Sequence, residues 1–399
     1  VTVFVGENCI RDQDGAVAIE NRSRNFIRTQ QIPRPHSSIL PFFRPPPYSC
    51  AVKILIVKPS SLGDVIHALP TVHLLRRHFF HAKISWLIND SLADILNESP
   101  VVDEVIPFQR KRWGQPHLLG EFVGFLRELR GRRFDLVVDL QGLLRSGIII
   151  RATGAKQRVG LSDAREGAKH FYTETVKIPT PRLHAVDRYL LAAQHLNAGR
   201  EPIQFPLGHP AAARAAVDKL LGGEGRFIAV NPSARWMSKL WGEDAFGALA
   251  ARIAEEFPET KIVFVGGSDD CERVESVARV SRLRDDQFIN VAGRTSLSEL
   301  TELLRRCAAL VTNDSGPMHI AAAVGTPVVA MFGATDPALT GPYSHGGIHH
   351  KVLRSGVACS PCLKPHCHHT PRMECMTKIE PPQVLHELQS ALKGHHAAP

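Results

Sequence analysis

From Val52 onward the apolar positions follow two alternating patterns. Continuous apolar runs predict buried parallel strands at 53–58, 83–87, 104–107, 136–139 and 158–160. Between them, apolar residues recur at helical spacing over 65–79, 92–97, 118–130 and 144–152, with a further helix at 186–196. A proline- and glycine-bearing stretch at 199–210 reads as a linker. A second series begins after it, with strands at 227–231, 262–265, 288–290, 309–312 and 328–332. Its helices are expected at 244–257, 270–280, 298–306 and 318–324, with a last helix at 380–393 returning toward the first lobe. Strand–helix alternation of this kind predicts parallel sheets covered on both faces. The expected architecture is α/β, with two Rossmann-like, doubly wound lobes facing across a cleft.

Residues 1–51 do not share these patterns. They hold Pro33, Pro35, Pro41, Pro45, Pro46 and Pro47 with scattered arginines, which predicts a disordered extension and a working chain that starts near Val52. They lack the charged start and apolar core of a signal peptide. The remaining organisation is a first lobe over 52–200, a linker over 201–210, a second lobe over 211–380 and a C-terminal helix and tail over 381–399.

Four strand-to-helix turns carry candidate chemistry. After the first strand, Ser61, Gly63, Asp64 and His67 open a helix. Asp64 reads either as its N-cap or as a general base at the mouth of a cleft, with His67 one turn along the same face. In the middle of the first lobe, Asp139, Gln141, Arg145 and Ser146 repeat the geometry. Gln141 and Arg145 suit an acidic or polyhydroxyl ligand, and capping by Asp139 or Ser146 is the plain alternative. In the second lobe, Ser233, Arg235 and Lys239 come after a strand and suit a diphosphate. The alternative there is two solvated cations with Trp236 and Trp241 packed beneath the loop. The last turn holds Asp314, Ser315, Gly316, Pro317 and His319 before a small-residue helix. Free N–H groups at that helix start would cradle a phosphate, with Asp314 and His319 orienting a ribose, phosphate or sugar; a well-capped helix packed closely on its sheet is the alternative. No Gly-x-Gly-x-x-Gly comes after the first strand, which argues against a dinucleotide dehydrogenase.

Charge and cysteine content adjust this picture. A formal charge of +9 over 399 residues favours polyanionic partners. With aromatics at 7% and no basic-aromatic interleaving, nucleic acid ranks low among them. Of eight cysteines, Cys359, Cys362, Cys367 and Cys375 cluster within a loop at 359–376. Four thiolates suit a closed zinc site, but the spacing is not that of paired zinc knuckles, and reduced cysteines in a surface loop are the preferred reading.

The stretches KILIVKPSSLGDVIHALP, DLQGLLRS, VTNDSGPMHIAAAVGTPVVAMFG and CSPCLKPHC together resemble the ADP-heptose:lipopolysaccharide heptosyltransferases, glycosyltransferase family 9. The resemblance spans about residues 52–392. It implies a GT-B fold and inverting transfer of heptose from ADP-heptose to the lipopolysaccharide inner core, either Kdo or the first heptose. It assigns Asp64 as base and Lys239 to the departing phosphates. Ser233, Arg235, Asp314, Ser315, Gly316 and His319 would serve the donor, and Ser61, His67, Gln141 and Arg145 the acceptor. Ala234 stands where some members carry a second hydroxyl. No cofactor is implied, with Mg2+ dependence left open. The implied workplace is cytoplasmic, peripheral to the inner membrane. Transfer of another nucleotide sugar, or nucleotide binding without chemistry, are the alternative functions.

Overall fold

A computed structural model describes residues 52–395 except 111 and 114, so the expected N-terminal extension lies outside the described residues. The first sheet contains β1 (Lys53–Val57), β2 (Lys83–Asn89), β3 (Glu104–Phe108), β4 (Leu136–Asp139), β5 (Gln157–Leu161) and β6 (Glu174–Val176). The second contains β7 (Arg226–Asn231), β8 (Thr260–Phe264), β9 (Phe288–Asn290), β10 (Ala309–Asn313), β11 (Val328–Met331) and β12 (Lys351–Leu353). Every pairing among the described residues is parallel. The strand orders are β3-β2-β1-β4-β5-β6 and β12-β11-β10-β7-β8-β9. Counted from the first strand of each series, both are doubly wound orders, reversing between β1 and β4 and between β7 and β10.

The helices of the first lobe are α1 (Leu62–His78), α2 (Leu119–Gly131), α3 (Leu144–Ala152) and α4 (Ala185–His195). The second lobe adds α5 (Ala211–Leu221), α6 (Glu243–Glu256), α7 (Cys271–Ser281), α8 (Leu297–Arg306), α9 (Gly316–Ala323), α10 (Pro337–Thr340), α11 (Glu374–Thr377) and α12 (Pro381–His395). Central strands such as Ile54–Val57 and Ala309–Asn313 are buried throughout, because helices cover both faces.

Several elements differ from the sequence expectation. The segment expected as a helix at 92–97 is a 3-10 turn, Asp90–Leu96. The short edge strands β6 and β12 carry too few apolar residues to announce themselves, and alanine-rich α5 comes after the linker prolines without a marked periodicity. The last helix does not return to the first lobe. Its Val384, Leu388 and Leu392 are buried with Ile228, Trp241 and Ile253 of the second, and the Trp241 indole donates to the Ile379 carbonyl at 2.8 Å. Leu388 is fully buried in this cluster. Leu388→Ala is therefore expected to cost about 2–5 kcal/mol, as large-to-small core changes do, read as a lowered midpoint in chemical denaturation.

Candidate active site

All four candidate turns lie at the carboxyl ends of β1, β4, β7 and β10, the strands that flank the two order reversals. Open α/β sheets bind ligands at that place. The two lobes meet there through the N-terminal ends of α1 and α9. A Cβ on Gly63 would lie 2.4 Å from the His319 ring, and one on Gly316 would lie 2.7 Å from Leu62 Cδ2. Neither position has room for a side chain while the lobes are in contact. His67 Nε2 and His319 Nδ1 lie 3.0 Å apart across the seam, with both residues buried. His184 packs edge-on against His67 and places its Nε2 3.1 Å from the Gly341 carbonyl of the second lobe. Asp94 adds a polar clasp, accepting the backbone N–H of Ser298 at 2.7 Å and its hydroxyl at 2.9 Å.

Asp64 is the third residue of α1 and not its N-cap. Ser61 occupies the N-cap position, and Asp64 reaches back in a capping-box arrangement. Its Oδ2 accepts the Ser61 N–H at 3.1 Å and the Ser61 hydroxyl at 2.7 Å. Its Oδ1 accepts the Tyr189 hydroxyl at 2.9 Å and lies 3.7 Å from Lys58 Nζ. Burial alone would raise this carboxyl, but the Lys58 ammonium and the Ser61 hydrogen bonds hold it well below the usual carboxylate range. Burial lowers Lys58 in turn, opposed by Asp64, and burial raises Tyr189 well above its ordinary value.

Gln141 joins this cluster, accepting the Ser60 N–H at 3.3 Å. Asp139 does not face a ligand. Its carboxylate is fully buried and accepts from the Gln141 and Gly142 backbones and from the Ser146 and Tyr172 hydroxyls, so it shapes the turn. Arg145 is exposed on the first turn of α3.

In the second lobe, Lys239 pairs with Asp314 at 2.7 Å and sits over the Trp236 ring. Asp314 also accepts the Thr335 hydroxyl at 2.5 Å. Ser315, at the N-cap of α9, accepts the Asn231 side-chain amide at 2.7 Å. The Ser233 hydroxyl is buried without a partner among the described residues, as a group awaiting a ligand would be. Arg235 is exposed and is not drawn into the cluster, and Trp241 is buried beneath the loop.

Sequence reasoning misses Lys58, Tyr189, His184 and Thr335. Lys58 ends the first strand's run, and its position alone is a usable signal. Tyr189 lies 125 residues from Asp64, and nothing local marks it.

Among the described residues no group of three or more His, Cys, Asp or Glu side chains is arranged to hold a metal ion. Cys362 is exposed, whereas Cys375 is buried, its sulfur close against Gly333. Burial, with the thiols of Cys359, Cys367 and Cys362 nearby, raises Cys375.

Two parallel, doubly wound sheets meeting at their switch points are the two lobes of a GT-B fold. The model of glycosyltransferase family 9 (heptosyltransferase) matches residues 123–372. Lipopolysaccharide heptosyltransferase 1 of Pseudomonas aeruginosa is 31% identical over 86% of this chain and 98% of that protein. The Escherichia coli K12 protein of the same name is 28% identical over 73% of this chain and 91% of its own. Among solved structures, Escherichia coli heptosyltransferase WaaC with ADP superposes with a TM-score of 0.67 at 25% identity, covering 85% of this chain and all of that one. Escherichia coli ADP-heptose lps heptosyltransferase II gives a TM-score of 0.70 at 24% identity over 87% of this chain and all of its own. The chain belongs to glycosyltransferase family 9 and is a heptosyltransferase of lipopolysaccharide core biosynthesis. No described helix is long and apolar enough to cross a membrane.

The histidine seam has a pH signature. Burial first, opposed by Asp314 and Asp64, holds His319 down at about 4; burial, His319 and His184 hold His67 well below 6.5. Between pH 6.5 and 4 the unfolded chain thus binds more protons than the folded one. The stability from these neutral imidazoles is complete above pH 6.5 and is lost as pH falls through that window. Melting temperature should drop over this range, and a His67→Gln, His319→Gln double variant should flatten the slope. Superimposable profiles would place the titrating groups elsewhere.

Proposed function

We propose that the enzyme transfers L-glycero-D-manno-heptose from ADP-heptose, with inversion, to Kdo of the lipopolysaccharide inner core. The observation that supports this most is the seam itself: the His67–His319 contact joins the ionised Asp64 of one lobe to the Lys239–Asp314 turn of the other. An acceptor hydroxyl is a poor nucleophile until its proton is taken, and a charged carboxylate at the cleft supplies that base. The oxygen attacks the anomeric carbon while the bond to the diphosphate breaks on the opposite face, inverting the centre. Negative charge then gathers on the departing ADP. Lys239, the Ser233 hydroxyl and the N-terminal N–H groups of α9 answer it. Ser315, Gly316, Asp314 and His319 hold the donor, with Arg235 at the rim. Ser61, His67, Gln141 and Arg145 line the acceptor side, which assigns 52–200 to the acceptor and 211–380 to the donor, about a linker at 201–210.

An acceptor carrying Kdo carboxylates and a lipid suits a chain of net charge +9 working at the cytoplasmic face of the inner membrane. The relatives named heptosyltransferase 1 support Kdo over an acceptor that already bears heptose.

The test is ADP release from ADP-heptose with purified enzyme, with Kdo2-lipid, with its monoheptosylated form, and with neither. Release with Kdo2-lipid is expected. Release only with the monoheptosylated lipid would shift the acceptor, and silence with both would remove this substrate reading. In the same assay Asp64→Ala should lower kcat by about a thousandfold while ADP-heptose still binds in calorimetry. Lys239→Ala should lower kcat by about a hundredfold through the leaving group; unchanged rate and donor affinity would displace Lys239 from that role.

A further inference from the structure

The Asp64 carboxylate is already crowded. A carboxylate offers about four lone-pair sites. Two on Oδ2 are taken by the N–H and hydroxyl of Ser61, one on Oδ1 by Tyr189, and the Lys58 ammonium stands by the same Oδ1. Tyr189 and Lys58 are buried to 1% and 3% exposure and are not able to step aside. Ser61 is exposed at the mouth of the cleft. Three of the four sites are thus filled by hydrogen bonds, and the one left is on Oδ1, the oxygen beside the buried Tyr189 and Lys58.

Ser61 offers a route to the carboxylate from the exposed side of the cluster. Its hydroxyl donates to Asp64 and still has lone pairs of its own, at most one of which the start of α1 could use. Building on the transferase reading, we propose that Ser61 is a catalytic proton relay between the acceptor hydroxyl and Asp64. The acceptor O–H gives its proton to Ser61 Oγ as the proton already on Ser61 moves to Asp64 Oδ2. In the same event the acceptor oxygen bonds to the anomeric carbon, and the anomeric carbon–phosphate oxygen bond breaks, its electron pair leaving with ADP. One proton enters Ser61 and one departs, so serine ends as it began and Asp64 ends protonated. No donor to the carboxylate has to leave: the 2.7 Å hydrogen bond only reverses which oxygen holds the proton. The Tyr189 hydroxyl makes an equivalent bond, but its burial keeps substrate from it.

Deleting the serine hydroxyl separates the two routes. With a relay, Ser61→Ala should lower kcat by about a hundredfold or more at little change in KM for ADP-heptose, and Ser61→Thr should recover most of the rate. With direct abstraction, Ser61→Ala uncovers Oδ2 and raises the basicity of Asp64, so kcat holds or rises. Ser61→Asn retains a capping side chain without a hydroxyl, and separates the relay from the start of the helix. It should be as slow as the alanine variant, and a near-normal rate in it would overturn the proposal. Rates in mixtures of H2O and D2O add a second readout. Two protons in flight should bow the wild-type proton inventory, while a linear one would point to a single transfer. Wild-type silence with both lipid acceptors would instead remove the substrate reading, an outcome distinct from an active wild type matched by an equally active Ser61→Ala.

Discussion

The structure depends on how closely two helix N-termini can approach. The first turns of α1 and α9 abut at Gly63 and Gly316, with a histidine ring and a leucine filling the space that side chains would need. Both helices direct unpaired N–H groups and the positive ends of their dipoles toward one cleft, an arrangement that repels itself unless anions intervene. Asp64 and Asp314 are those anions, and each carries its own lysine, Lys58 and Lys239. Each lobe thus brings an aspartate, a lysine and a helix start to a shared seam. The neutral histidine pair fills the space between them without adding charge.

The near-repetition of the two lobes is also an economy of folding. A doubly wound strand order, used twice, puts every ligand-facing turn at a carboxyl edge, so the cleft arises from topology before any particular side chain is chosen. The remaining chemistry is a matter of what is placed on those turns. Asp139 illustrates the point: it stands at the same structural position as a ligand-binding residue yet spends all its hydrogen bonds on its own loop.

Much of this is legible in the chain. Continuous apolar runs mark the central strands of both sheets, and polar turns before small-residue helices mark β1–α1 and β10–α9. Edge strands β6 and β12 are not legible, because three residues with one or two apolar positions carry no period. The docking of α12 is not legible either, since its apolar stripe says that it is buried but not against which lobe. The surroundings of Asp64 are hardest. Its partners come from a strand end, a helix cap and a tyrosine on α4, and only the fold brings them together. Local sequence offers Asp64 itself as the helix cap, whereas the cap is Ser61, three residues earlier.

The Lys239–Asp314 pair has a consequence for how an anionic ligand is drawn in. Because the ammonium is already matched by a buried carboxylate at 2.7 Å, the turn presents little net charge to the solvent. Long-range attraction toward this lysine is correspondingly weak, and a diphosphate is recognised only once it is near enough to compete for the ammonium and reach the helix start. Capture at such a site is governed by short-range fit more than by the ionic atmosphere. Added salt, which screens a bare cluster of lysines strongly, has little left to screen here.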